Sequence, residues 1–383
     1  MFYYVGNADL PGRMAHSIQQ MKMCEAFTKQ GEDVVYIHGH SFGNDPKVSW
    51  DNVADHYGLE EKFSIKTLRN LQDTTDKFSR LRIMSIGGPI AVYLFLETLA
   101  GRIGRKDIIY GREYYSLFFL NEMLTIVPES KQPLVVYEGH NPRDVRFKNR
   151  FYRRIDGVVS ITQKLADYLV EKHDLCYNKL LIAPDGADLE PYQGLSKEAA
   201  RKQLDIPLDE EVVMYTGHCY EGKGAGTLVA AARNLDASIY IVGGFDEDID
   251  RIKTDFGHPE NVEFTGFVEP SEIPVYQVAS DILVAPYTSA SRPWISPLKL
   301  FEYMAANRPI AASDRSVLQE VLTHEENALI FNKEDSTDLQ NTINRLLRSK
   351  SLQQTLSSNA SKSIGQYTWD SRARKILDWI SQI

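Results

Sequence analysis

Residues 281–314 read DILVAPYTSASRPWISPLKLFEYMAANRPIAASD. Ile282 to Pro286 is a short apolar run of the kind a buried parallel strand requires, and Tyr287 to Ser296 is rich in residues that end strands. A helix opens at Ser296 or Pro297, since a proline in the first turn sacrifices only an N–H that has no partner there anyway. It runs to about Asn307, ahead of Pro309. Wound at the helical period, Leu298, Phe301, Glu302 and Ala305 fall within roughly 100° of arc. Glu302 is therefore expected on the core-facing side, where a carboxylate needs a partner. The alternatives are a structural pairing with Lys or Arg, or a grip on a polar ligand at the helix N-terminus.

Outward from this stretch, apolar runs alternate with helical patterns. In the first half they are FYYV (2–5), DVVYI (33–37), DIIY (107–110), LVVY (134–137), GVVSI (157–161) and KLLIA (179–183). In the second they are EVVMYTG (211–217), SIYIVGG (238–244), VEFTGFV (262–268), ILVAPY (282–287), PIAAS (309–313) and ALIF (328–331). Such alternation means βαβ units, and two series mean two doubly wound parallel sheets. Residues 38–75 are mixed and polar and carry no assignable chemistry. The tail from about Asp370 is helical, with Trp369, Ala373, Ile376, Leu377 and Ile380 forming one apolar stripe.

With 383 residues the chain is too long for one compact core, and 43% hydrophobic and 25% charged residues are globular values. A net charge of −9 argues against nucleic acid as a partner. Cys24, Cys176 and Cys219 are far apart and odd in number, which suits a reducing, cytoplasmic compartment and offers no metal spacing. Met1 leads straight into a strand, without the basic segment of a signal peptide. The run Ile83–Leu96 is shorter than the roughly 20 residues needed to span a bilayer. Lys77, Arg80 and Arg82 before it and Arg102, Arg105 and Lys106 after it form a basic frame suited to peripheral contact with an anionic membrane. The plainer reading is a core helix with solvated ends.

The stretch 281–314 resembles the donor-site signature of family-4 retaining glycosyltransferases of the GT-B fold (glycosyl transferases group 1). The familiar form carries two glutamates. Glu302 stands at the second, which in that family holds the ribose hydroxyls, and Trp294 stands where the first would contact the transferred sugar. The resemblance implies two Rossmann-like domains facing a cleft, 1–188 on the acceptor side and 189–368 on the donor side, with the last helix, 369–383, crossing back to the N-terminal domain. It places His140, after the strand LVVYEG, beside the reacting sugar. Lys223 and His218 lie in the turn that holds the donor diphosphate, His218 where many members have Arg. Gly217, Ser296, Pro297 and Leu298 are the accompanying donor contacts, and Gly12 with Arg13 belongs to a loop near the diphosphate.

The implied activity moves a hexose-type sugar from a nucleotide-diphosphate sugar to a glycan, lipid-linked or small-molecule acceptor. It needs no cofactor and no metal, in keeping with the lack of an Asp-x-Asp motif in the donor loops. Rival readings are a nucleotide-sugar epimerase of the same fold and a non-catalytic nucleotide-sugar scaffold, the latter suggested by Trp294. A third arises because Gly217–Lys223 spells G-x-x-x-x-G-K, a phosphate-binding loop except that Gly224 follows in place of Ser or Thr.

Overall fold

The computed structural model describes residues 1–8, 10–12, 14–41, 48–70, 79–141 and 148–383. Arg13 and Lys77 lie outside the described residues, as do the side chains of Arg80 and Arg82. The chain divides into two compact units, Met1–Pro184 with Trp369–Ile383, and Asp185–Thr368.

The first unit is built on a seven-stranded sheet. Its strands are β1 (Phe2–Gly6), β2 (Val34–Ser41), β3 (Ser64–Asn70), β4 (Ile108–Gly111), β5 (Leu134–Gly139), β6 (Gly157–Ser160) and β7 (Leu180–Ile182). They lie in the order β3-β2-β1-β4-β5-β6-β7, and every pairing is parallel. The order reverses direction between β1 and β4, which makes the carboxyl ends of those strands the ligand-binding edge expected of such sheets. Residues 38–75, unassigned from sequence, contain β3 and the helix Trp50–Tyr57. β3 lies at the sheet edge, paired only with β2.

The second unit carries a six-stranded sheet in the order β10-β9-β8-β11-β12-β13. The strands are β8 (Val212–Thr216), β9 (Ser238–Val242), β10 (Val262–Gly266), β11 (Ile282–Ala285), β12 (Ile310–Ser313) and β13 (Leu329–Phe331). All pairings are again parallel, and the reversal falls between β8 and β11. Both faces of this sheet are buried. Val212 and Met214 of β8, with Leu283 and Ala285 of β11, enter one core cluster together with Leu300, Phe301 and Met304. Val213, Tyr215, Ile282 and Val284 alternate into the other, against Leu228, Ile239 and Ile343. This two-sided burial is why these strands are continuous apolar runs and not alternating ones.

The C-terminal helix Trp369–Ile380 belongs to the first unit and packs on the helix Ala15–Lys29. Trp369, Ala373, Ile376 and Ile380 of its stripe are buried and Leu377 is half-buried, but so is one residue the stripe did not include, Arg372. The helix is tied to the end of β7: Lys375 Nζ donates to the Ile182 carbonyl at 2.8 Å. Arg372 Nε donates to Ala183 and Pro184 at 3.2 and 2.9 Å. Ile83–Leu96 lies inside the helix Ser79–Leu99, which contains Pro89. Among the described residues no helix is long and apolar enough to cross a membrane.

Candidate functional site

The residues singled out in the second half gather at the carboxyl ends of β8, β9 and β11. Gly217 follows β8 with a φ of +115°, and Gly222 and Gly224 have φ of +90° and +79°. A side chain at Gly224 would strike the Pro286 carbonyl, its Cβ only 1.7 Å from the oxygen, so the loop lies directly against the end of β11. Gly224 caps the helix Ala225–Ala232.

This loop carries His218 and Lys223. The His218 ring packs against Tyr220 and Phe245, with centroids 5.9 and 5.4 Å apart. Burial, then the charges of Lys223 and Lys299, push its pKa below the ordinary imidazole value. Near neutral pH it is an uncharged donor and acceptor, not a cation. Lys223 Nζ lies about 5 Å from the rings of Tyr220 and Tyr287.

The other wall is the loop after β11 and the helix Leu298–Ala305. Pro297 is the residue that precedes this helix, in extended conformation, and not its first turn. Its end near Ala306 agrees with the expected one to within a residue or so. The Ser296 hydroxyl accepts the Asp185 N–H at 3.0 Å. Trp294 is half-buried in the loop.

The helix face differs from the one read off the helical period. Lys299, Leu300, Phe301, Tyr303 and Met304 are buried, whereas Leu298, Glu302 and Ala305 are half-buried. Tyr303 sets the phase, because its hydroxyl accepts the Thr216 N–H at 2.9 Å and so ties the helix to the end of β8. Glu302 therefore flanks the core face, not its centre. Its Oε2 accepts from Gln277 Nε2 at 3.2 Å, and Gln277 is itself fixed by Thr216 at 3.1 Å and by the Tyr192 hydroxyl at 2.6 Å. Loss of solvent around the carboxylate raises its pKa, against the opposing effects of Gln277 and Lys299.

Lys299, not singled out from sequence, is the other charged group of this helix and is 7% exposed. Its ammonium rests 3.6 Å from the centroid of Tyr215. It lies 3.2 Å from where a Cβ on Gly217 would stand. The sequence signal available for it was its spacing of three from Glu302.

In the first unit, His140 follows β5 and its Nε2 meets Glu138 Oε1. Glu138 is completely buried. Gln19 Nε2 donates to it at 2.6 Å, the Tyr110 and Tyr4 hydroxyls also donate, and Arg372 Nη2 stands 3.2 Å away. Burial alone would raise its pKa, but Arg372, His140 and Arg112 outweigh that and hold it well below the usual carboxylate range. An ionised carboxylate can only accept, so the bonded His140 Nε2 carries the proton. His140 is thereby held in one orientation by a buried anion. Gly12 is placed differently from a free phosphate-binding amide: its N–H donates to the Tyr57 hydroxyl at 2.6 Å, and that hydroxyl donates back to the Gly12 carbonyl at 2.9 Å.

The sequence profile of the Glycosyl transferases group 1 family matches residues 196–363. A D-inositol 3-phosphate glycosyltransferase of Xylanimonas cellulosilytica is 21% identical over 59% of this chain and 57% of its own length. The chain thus spans little more than half of the curated relatives it matches. Among solved structures, Anabaena HepE in complex with UDP superposes with a TM-score of 0.74 over 100% of both chains at 16% identity. Sucrose-phosphate synthase of Thermosynechococcus elongatus gives 0.78 at 19% identity over 100% of this chain and 98% of its own. At such identities these likenesses establish the fold alone. The whole chain has the GT-B fold of two parallel-sheet Rossmann-like domains, and within it residues 196–363 match the profile of the glycosyl transferases group 1 family.

Proposed function

We propose that the protein is a retaining glycosyltransferase that moves a hexose-type sugar from a nucleotide-diphosphate sugar to a glycan, lipid-linked or small-molecule acceptor. One observation carries this reading: Lys223, His218 and the N-terminus of the helix Leu298–Ala305 meet at the carboxyl ends of β8 and β11, with Glu302 one turn into that helix. Solved neighbours of the same fold that hold UDP and UDP-glucose support a nucleotide-sugar donor.

Breaking the sugar–phosphate bond builds negative charge on the departing diphosphate. Lys223, the neutral His218 N–H and the first backbone N–H groups of the helix are suited to meet it. In this reading the acceptor attacks from the face the leaving group departs, and its hydroxyl proton passes to a leaving phosphate oxygen. Neither a protein base nor a metal ion is then required. His140 is assigned, on the resemblance, to the transferred sugar. The three unpaired cysteines support a reducing, cytoplasmic setting. Arg102, Arg105 and Lys106, after the helix Ser79–Leu99, support peripheral contact with an anionic membrane.

Glu302 is assigned to the ribose hydroxyls. Glu302→Ala is expected to weaken nucleoside-diphosphate binding by about 1.5–3 kcal/mol, the usual worth of a hydrogen bond to a charged group. Calorimetry on the folded variant checks this, and unchanged affinity would remove the assignment.

The test of the activity itself uses Trp294, which stands where relatives aim a carboxylate at the sugar. An indole offers an apolar face and one N–H but accepts nothing from hydroxyls. Donor hydrolysis by wild type and Trp294→Glu is measured across UDP-, GDP- and ADP-sugars. Wild type is expected to turn over at least one donor, and Trp294→Glu to change the preferred sugar without raising the rate. Turnover seen only in the variant would make the natural protein a scaffold.

A further inference from the structure

Lys299 is a poorly satisfied charged group of the second unit. Its ammonium is buried without a hydrogen-bond partner, and among the described residues no carboxylate lies within ion-pair distance of it. The Tyr215 ring beneath it, at 3.6 Å, offsets only part of the lost hydration. A structural lysine would have been given a carboxylate or carbonyl. Instead the strongest charge acting on it is that of Lys223, which likewise has no ion pair among the described residues.

The groups facing Lys299 are Tyr215 at the end of β8, His218, Cys219 and Lys223 in the following loop, Tyr287 after β11, and Glu302 on its own helix. Only Glu302 carries negative charge, and it is bonded to Gln277. Gly217 is what gives the ammonium its place. With φ of +115° it presents no side chain, and a Cβ there would lie 3.2 Å from Nζ and 3.3 Å from Cε. The lysine tip therefore sits directly beneath the first residue of the loop that opens the anion-binding edge.

We propose that Lys299 is a second diphosphate-binding cation of the donor site, waiting beneath Gly217 in the empty protein and completed by the anion it binds. The inference rests on the nucleotide-sugar reading above and extends it by one residue. Two lysines whose charges disfavour each other in the empty site become mutually compatible once a diphosphate lies between them. Burial, then Lys223, hold the empty-site pKa of Lys299 well below its ordinary value. An arriving diphosphate favours the charged form and raises that pKa, so at a pH between the empty-site and bound values binding takes up a proton from solvent onto Nζ.

Lys299→Met keeps length and volume while removing the amine. UDP is the probe, with GDP and ADP beside it, and uridine serves as a control lacking phosphates. Calorimetry in buffers of different ionisation enthalpy reads affinity and proton uptake together. The variant is expected to bind the preferred nucleoside diphosphate about 10- to 100-fold more weakly, the loss of a charge-assisted hydrogen bond, with uridine unaffected and the proton uptake reduced to what His218 contributes. Its melting temperature is expected to rise, because an unsatisfied buried amine has been replaced by an apolar chain. A lysine that merely supports the fold would lower it.

Unchanged diphosphate affinity and unchanged proton uptake in Lys299→Met overturn the inference and leave the donor reading standing. Failure of every nucleoside diphosphate to bind the wild type overturns both. A fall in uridine affinity equal to that for UDP also overturns it, since the effect would not belong to the phosphates.

Discussion

Lys223→Ala is expected to lower turnover by about 100- to 1,000-fold, while ground-state affinity for the donor falls much less. The expectation rests on where charge develops. A bound nucleotide sugar already carries its diphosphate charge, so any cation helps binding; the bond-breaking step adds further charge on the leaving oxygen, and only a group already in place can answer it without reorganisation. Lys223 has that character. It is carried by a loop of positive-φ glycines seated against Pro286, and its ammonium lies about 5 Å from the rings of both Tyr220 and Tyr287. His218 is a weaker partner, since burial and the neighbouring lysines keep it neutral. Single-turnover rates at saturating donor, set beside calorimetric affinity, separate the two effects. A collapse in affinity with normal turnover would make Lys223 a binding residue only.

What the sequence disclosed of this site follows from the range of the interactions involved. The strands of the second unit are buried on both faces, so each is a continuous apolar run visible without any partner. The turn after β8 announces itself through its glycines, because the backbone there adopts a φ that other residues avoid. The phase of the helix Leu298–Ala305 was not visible. A count of apolar positions treats Lys299 and Tyr303 as polar, yet Tyr303 is buried through its bond to Thr216, a residue 87 positions away. With Lys299 and Tyr303 among the buried positions, Glu302, expected on the core-facing side, lies half-buried at the flank of that face. β3 was missed because an edge strand, paired on one side only, need not be apolar throughout. Lys299 escaped because its meaning lies in the partners it lacks, which spacing along a chain cannot express.

The same limit hid Arg372, whose loss is expected to be the most damaging to stability. It is 2% exposed in the C-terminal helix and stands 3.2 Å from the fully buried Glu138. Arg372→Ala would leave that carboxylate with its charge poorly compensated, a situation that costs about 3–5 kcal/mol. Glu138 has a depressed pKa in the folded protein. Its stabilising contribution is therefore present above the unfolded value of about 4.3 and is lost as pH falls through the folded value. Removing Arg372 shrinks that depression, so the deficit of the variant is expected to be largest near neutral pH and to narrow on acidification. The double variant Glu138→Gln, Arg372→Met removes both charges and is expected to recover much of the loss, since an uncompensated ion costs more than the absent pair. Urea unfolding of the wild type, the two single variants and the double variant from about pH 3 to pH 8 measures the coupling and reaches below the unfolded value of about 4.3. Strict additivity at neutral pH would show that Arg372 contributes through packing and its carbonyl bonds and not through Glu138. Coupling, by contrast, makes the C-terminal helix the support of the anion that orients His140, so that a substitution in the last residues of the chain reaches a side chain at the end of β5.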